Sequence, residues 1–117
     1  DYGCQYQDGT IPPLFFERKS ISDLFGTLGK GHKRFKREIE RSKASNATLV
    51  MLIEGSLSDV YRGVEQSEIR GESVVKKLMT LWMKYDILPI FMKDRLEMVE
   101  FIRECYEAIG RLEKLKP

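Results

Sequence analysis

Several residue types that carry chemistry are scarce in this chain of 117 residues. It has one histidine, His32, and two cysteines, Cys4 and Cys105, which lack the Cys-x-x-Cys spacing of a zinc site. His32 stands among cations and has no orienting carboxylate near it in the sequence. We therefore expect His32 to be a basic-loop residue and not a catalytic base, and we expect both cysteines to be structural thiols.

Long hydrophobic runs are also absent. No segment approaches the ~20 apolar residues of a membrane span, and no secretory signal is visible. We expect a soluble intracellular protein without a membrane partner, cytoplasmic in a prokaryote or virus and nuclear in a eukaryote. The length suits a single domain over 1–117, and a hydrophobic content of 42% can fill one core.

The strongest chemical signal is Glu17-Arg18-Lys19, which follows an apolar run. Side chains alternate between the faces of a strand, so Glu17 and Lys19 would share one face while Arg18 points to the other. Metal-dependent phosphodiester hydrolysis needs two carboxylates, here Asp1 and Glu17, to hold a divalent ion that acidifies a bound water. Lys19 would orient that water or offset developing negative charge. Taken alone, a Glu-x-Lys pair is more often a solvated surface pair.

The residues around this motif make a longer pattern that resembles the nuclease domain of the XPF-type (XPF/Mus family) structure-specific endonucleases. That family pattern reads Gly-Asp-Tyr, a spacer, and then Glu-Arg-Lys-x-x-x-Asp. The likeness covers nearly the whole chain, at Asp1-Tyr2, Glu17-Arg18-Lys19-Ser20-Ile21-Ser22-Asp23-Leu24, Arg34-Phe35, the run from Leu49 to Gly55, Ile69-Arg70-Gly71, and Leu88-Pro89-Ile90-Phe91.

The resemblance implies a restriction-endonuclease-like α/β fold, with a mixed central sheet flanked by helices. It also implies metal-dependent cleavage of DNA at flaps, forks or other branches. Asp1 and Glu17 would bind Mg²⁺ or Mn²⁺ with the carbonyl of Arg18 as a further ligand, and Lys19 would position the hydrolytic water. The family begins one strand earlier with another metal-binding acid, whereas this chain starts at Asp1 without an initiator Met. We therefore expect an N-terminally incomplete domain, either cut upstream or completed by another chain.

Positive charge is concentrated between residues 30 and 43, although the net charge is only +2. Such a segment can follow a phosphate backbone, or it can be a solvated helix face with internal ion pairs. The two explanations are equal for the segment alone, and the nuclease motif favours DNA. The predicted DNA contacts are Arg18, Lys30, Lys33, Arg34, Arg37 and Arg70, of which Arg34 and Arg70 match family positions.

Two further acids are candidates for a supporting role at the site. Glu54 ends an apolar run, where α/β folds meet their ligands, although a solvent-facing carboxylate explains it equally well. Asp23 follows Ser20 by three residues in a variant of the capping box. Helix capping is the better explanation for Asp23, because its carboxylate can accept hydrogen bonds in the first helical turn.

Periodicity predicts strands at 2–6, 11–19, 49–54 and 88–92, and helices at 20–28, 33–43, 71–85 and 94–115. The last two helices each carry two adjacent apolar stripes. A wide core-facing surface explains either helix alone, but together they favour a homodimer or heterodimer, and the nuclease domains of the resembled family work as pairs.

Other functions stay open at this point. Some members of the resembled family are non-catalytic DNA-binding or scaffold subunits, although these tend to have lost the motif that is intact here. An RNA-directed or mobile-element nuclease would use the same residues.

Overall fold

The computed structural model describes residues 13–44 and 46–115, with side chains described up to residue 112. Asp1, Cys4 and the predicted strand at 2–6 lie outside these ranges. The elements, in chain order, are β1 (Leu14–Ser20), α1 (Ile21–Leu28), α2 (His32–Ala44), β2 (Thr48–Glu54), α3 (Leu57–Arg62), α4 (Gly71–Tyr85), β3 (Leu88–Met92) and α5 (Arg95–Leu115).

The three strands form a parallel sheet in the order β1-β2-β3. β2 is the central strand, and its residues from Met51 to Ile53 are fully buried, as expected for a strand covered on both faces. The register places Ser20 opposite Glu54 and Glu54 opposite Met92, so all three strands end at the same edge. The predicted α/β sheet with flanking helices is confirmed, and every strand within the described ranges runs parallel to its neighbour.

Helices cover both faces of the sheet. On one face, α1, α2, α3 and α4 pack over Met51 and Ile53. On the other face, α5 packs its Met98 and Ile102 against a group that includes Phe16 and Leu52. Alternation along β1 therefore directs Phe16 and the other even-numbered positions towards α5, and the odd-numbered positions towards α1 and α2.

The short helix α3 was not predicted from the sequence. Its six residues are too few for a periodic pattern, but a capping box begins it: Ser56 Oγ accepts from the N–H of Asp59, whose carboxylate accepts from the N–H of Ser56. Helix α4 then starts directly against α3. A Cβ at Gly71 would collide with the backbone carbonyls of Val60 and Tyr61, so only glycine permits this approach.

The longest of these helices, α5, is too polar to cross a bilayer, and no other helix within residues 13–44 and 46–115 meets the length and hydropathy of a membrane span. Cys105 packs at the edge of the α5 core, where burial raises the pKa of its thiol. This position fits the predicted structural thiol.

Candidate active site

Glu17 and Lys19 leave β1 on the same side of the sheet and line one cleft, as alternation predicts. The cleft has a volume of about 300 Å³ and lies between the end of β1 and helices α1 and α2. Its other lining residues come from α1, α2 and the turn between them: Gly26, Thr27, Gly31, Arg34, Phe35 and Glu38.

The connection from β1 to α1 fixes one wall of this cleft. Ser20 is at once the last residue of β1 and the N-cap of α1, and its Oγ accepts a hydrogen bond of 3.1 Å from the N–H of Asp23. No loop separates strand and helix, so the end of β1 is held next to the first turn of α1. The side chains of Glu17 and Lys19 are therefore fixed relative to the helix that faces them.

A tight turn places α2 across the same cleft. The N–H of Gly31 donates to the carbonyl of Gly26 at 2.9 Å. A Cβ on Gly31 would lie 3.1 Å from that oxygen and 3.3 Å from the backbone of Thr27. A residue without a side chain therefore lets the chain fold back closely enough for α2 to bring Arg34 over the cleft.

Glu17 and Lys19 form an ion pair inside the cleft, with Lys19 Nζ 3.1 Å from Glu17 Oε1. Only 17% of each side chain is exposed, so this is not the solvated surface pair that a Glu-x-Lys sequence usually makes. Their register partners on β2 are the buried Met51 and Ile53. A carboxylate in such surroundings needs a positive partner, which Lys19 provides and a metal cation would also provide.

Glu38 is a cleft residue that the sequence analysis did not assign to the site. It lies one helical turn after Arg34, and its Oε1 is 3.8 Å from Arg34 Nε. The side chain of Arg34 is largely exposed and that of Glu38 is about half exposed, so the pair contributes little to stability. The sequence does contain a signal, because a residue four positions after Arg34 must share its helix face.

Arg18 and Glu54 lie on the opposite face of the sheet from Glu17 and Lys19. Arg18 Nη2 is 3.3 Å from Glu54 Oε1, with 24% and 32% of the two side chains exposed. Arg18 Nε is buried and has no hydrogen-bond partner within the described residues. The structure thus pairs Glu54 with Arg18 at the end of the sheet and does not bring it to the cleft.

The remaining predicted residues are dispersed around the cleft that Glu17 and Lys19 line. Asp23 is exposed in the first turn of α1 and does not line the cleft. Among the predicted DNA contacts, Arg34 lines the cleft. Lys30 lines a neighbouring groove of about 580 Å³, and Gly26 lines both the groove and the cleft. The other predicted DNA contacts, Lys33 and Arg37 on α2 and Arg70, are exposed, and Arg70 is 3.7 Å from Glu72 at the start of α4.

The metal-binding prediction depends partly on residues outside the described ranges. Within 13–44 and 46–115, no group of three or more His, Cys, Asp or Glu side chains is placed to hold a metal ion. Of the predicted ligands, the carboxylate of Glu17 lines the cleft, the carbonyl of Arg18 belongs to the backbone of β1, and Asp1 lies outside the described residues. The donors that are present are hard oxygens, which fit Mg²⁺ or Mn²⁺.

Comparison with known proteins agrees with the motif. The family model of the ERCC4 domain matches residues 2–105, a region that includes the Glu17-Arg18-Lys19 motif, the three described strands and the first half of α5. This match confirms the family that the sequence pattern resembles. Among curated proteins, none matches the chain significantly.

Proposed function

We propose a nuclease function for this chain because it belongs to the ERCC4 domain family and keeps the acid and the lysine of its motif together in one cleft. The family consists of nuclease domains that act on branched DNA, generally with a divalent metal, and some of its members are inactive. The proposed reaction is hydrolysis of DNA phosphodiester bonds at flaps, forks or other branches. The observation that supports it best is the shielded contact between Glu17 and Lys19.

Five residues have roles in this proposal. Glu17, the carbonyl of Arg18 and Asp1 would hold Mg²⁺ or Mn²⁺, which when bound acts as a Lewis acid and lowers the pKa of a coordinated water. Lys19, as an ammonium group, orients the attacking water and offsets the charge that develops on the phosphate oxygens. Arg34 donates hydrogen bonds to a phosphate of the bound strand at the mouth of the cleft.

The test is cleavage of labelled flap, fork, linear duplex and single-stranded DNA in Mg²⁺ or Mn²⁺. It uses the protein with whatever natural sequence precedes Asp1. We expect the wild type to cut branched substrates, Glu17→Gln to lose cleavage, and Lys19→Ala to be slower by about 10²–10³-fold. Glu40→Gln is the matched control, because Glu40 is an exposed α2 carboxylate that does not line the cleft.

Two outcomes would contradict the proposal in different ways. Cleavage that survives Glu17→Gln would remove the site assignment. Binding of branched DNA by the wild type, without cleavage in either metal, would favour the second candidate function, a non-catalytic DNA-binding or scaffold subunit.

A further inference from the structure

A second cleft lies on the other side of α2, between α2 and α4, with a volume of about 270 Å³. Among the described residues that line it there are four basic side chains and no acidic one. In this it differs from the catalytic cleft, which contains Glu17 and Glu38. The basic residues of this α2–α4 cleft are His32, Lys36, Lys77 and Lys84.

The α2–α4 cleft combines an apolar base with basic side chains. Leu28, Phe35, Ile39 and Leu81 form its base, and each of them is at most 5% exposed. A protein helix that docks in a groove needs accessible apolar pockets for its anchoring side chains. These four apolar side chains are too buried to serve as such pockets, and the charged groups that line the cleft are all basic, so an anionic backbone suits the cleft better than a protein helix does.

Two of these lysines are held in position by the fold. Lys77 Nζ donates a hydrogen bond of 2.8 Å to the carbonyl of Leu28 at the end of α1. This leaves two of its three N–H donors for a ligand. Lys84 Nζ lies 5.3 Å from the centre of the Tyr85 ring, within the range of a cation–π contact. Both charges are therefore close to the cleft before any ligand arrives.

Helix α2 separates the two clefts. Phe35 lines both of them, while Arg34 lines the catalytic cleft and Lys36 lines the α2–α4 cleft. Residues 34 and 36 are about 200° apart around a helix axis, so their charges point to opposite sides of α2. A linear duplex that lies against one side leaves the other side free, whereas a branched DNA has a second arm that can reach it.

We propose that the α2–α4 cleft binds the phosphate backbone of a second DNA arm while the first arm lies at Glu17 and Lys19. The part of this inference that concerns cleavage of branched substrates rests on the proposed nuclease function. It gives a physical reason for a preference for branches, which no residue of the sequence motif supplies. The occupant is DNA phosphate, recognised by Lys36, Lys77 and Lys84.

The experiment compares Lys36→Ala/Lys84→Ala with the control pair Lys76→Ala/Lys93→Ala. All four lysines are exposed, both double variants lose the same charge, and the control lysines line neither cleft. Affinity for fork DNA and for linear duplex is measured without divalent metal at several salt concentrations. Each lost phosphate contact lowers the slope of log affinity against log salt by about 0.9, so we expect the Lys36/Lys84 variant to lose about 1.8 with fork DNA only.

Three results would overturn the proposal. An equal loss for fork and linear duplex would show that the α2–α4 cleft holds the same arm as the catalytic cleft. An equal loss in the control variant would show a general effect of net charge. Unchanged fork affinity would exclude DNA from the cleft and would favour an acidic protein segment there.

Cleavage by the same variants separates this inference from the nuclease proposal. Because affinity is measured without metal, a fork-specific loss of binding supports the second DNA arm even if the wild type proves inactive. With an active wild type, we expect the Lys36/Lys84 variant to cut forks more slowly and linear duplex at the wild-type rate.

Discussion

Replacing Arg18 by methionine tests whether this residue, which lies between Glu17 and Lys19 in the sequence, contacts DNA or stabilises the fold. The sequence pattern predicts a DNA contact, whereas the structure pairs the Arg18 guanidinium with Glu54 on the opposite face of the sheet from the cleft. Methionine retains a flexible apolar side chain that can follow the path of the arginine stem. The variant therefore removes mainly the charge.

The exposure of the pair sets the expected size of the effect. Fully exposed ion pairs contribute about 0.2–1 kcal/mol, and removing one partner of a fully buried pair costs about 3–5 kcal/mol. Arg18 and Glu54 are 24% and 32% exposed at 3.3 Å, so water screens them only in part. We expect a coupling free energy between Arg18 and Glu54 of about 1–2 kcal/mol, intermediate between those limits.

The assay is a double-mutant cycle with Arg18→Met, Glu54→Gln and the double variant, each unfolded in urea. The salt dependence of DNA affinity is measured on the same proteins. We expect a loss of stability in the single variants that is not additive in the double variant, together with an unchanged salt slope. A coupling below about 0.3 kcal/mol would refute the argument from burial, and a slope reduced by about 0.9 would instead identify Arg18 as a phosphate contact.

Three further perturbations test other parts of the molecule. The double variant Glu17→Met/Lys19→Met should have a free energy of unfolding equal to or higher than that of the wild type. Glu17→Met alone should lower it, because this change leaves a shielded ammonium without its partner. A double variant less stable than the wild type would contradict this. Hydrogen bonds from the backbone N–H and hydroxyl of Ser56 lower the pKa of Asp59 below its ordinary value of 3.8. The stabilising contribution of the Asp59 carboxylate is therefore present above that pH and is lost as the pH falls through the lowered pKa. Urea titrations should show that acid lowers the free energy of unfolding less in Asp59→Asn than in the wild type. Equal losses of stability in the two proteins would contradict this. Leu96 is 73% exposed on α5, and if the protein pairs through this helix, Leu96→Asp should shift sedimentation towards the monomer; a wild type that stays monomeric at high micromolar concentration would exclude the pairing.

Sequence periodicity predicted α4 and β3 with the bounds that the structure has. Their limits are marked by residues with special backbone requirements. Gly71 allows α4 to begin against α3, and Asp86 ends α4 in the left-handed conformation at a φ of 58°. The predicted strand at 11–19 overlaps β1, which runs from Leu14 to Ser20, and positions 11 and 12 of that prediction lie outside the described residues.

The two adjacent apolar stripes are only partly buried in both α4 and α5. In α4, Val74, Val75 and Leu78 are buried in the core that this helix shares with α1, α2 and α3, whereas Met83 is 74% exposed. In α5, Met98 is buried and Leu96 remains exposed. A wide core face therefore accounts for the buried part of each pattern, and the exposed apolar residues of both helices are the reason to test for pairing.

Strand alternation was sufficient to predict that Glu17 and Lys19 share a face, but it was not sufficient for Glu54. The prediction correctly placed Glu54 at the edge of the sheet where the strands end. Which face it occupies depends on the register of β2 against β1, where Lys19 pairs with Ile53 and Ser20 pairs with Glu54. That register is set by long-range packing, so no motif within either strand reveals it.

Three consecutive ionisable residues are costly at the half-buried end of a parallel strand, because each charge loses water of hydration. Because side chains alternate along the strand, the three charges lie on two different faces of the sheet. Glu17 and Lys19 compensate each other on the cleft side, and Arg18 is compensated on the other side by Glu54, which lies 36 positions later in the chain. A shift of one residue in β1 would exchange the faces, so that Arg18 would lose Glu54 and the Glu17–Lys19 pair would point away from the cleft. The pairing of β1 with β2 in this register is therefore what allows the charged motif to lie beside the core, and it also fixes the direction in which the proposed catalytic groups point.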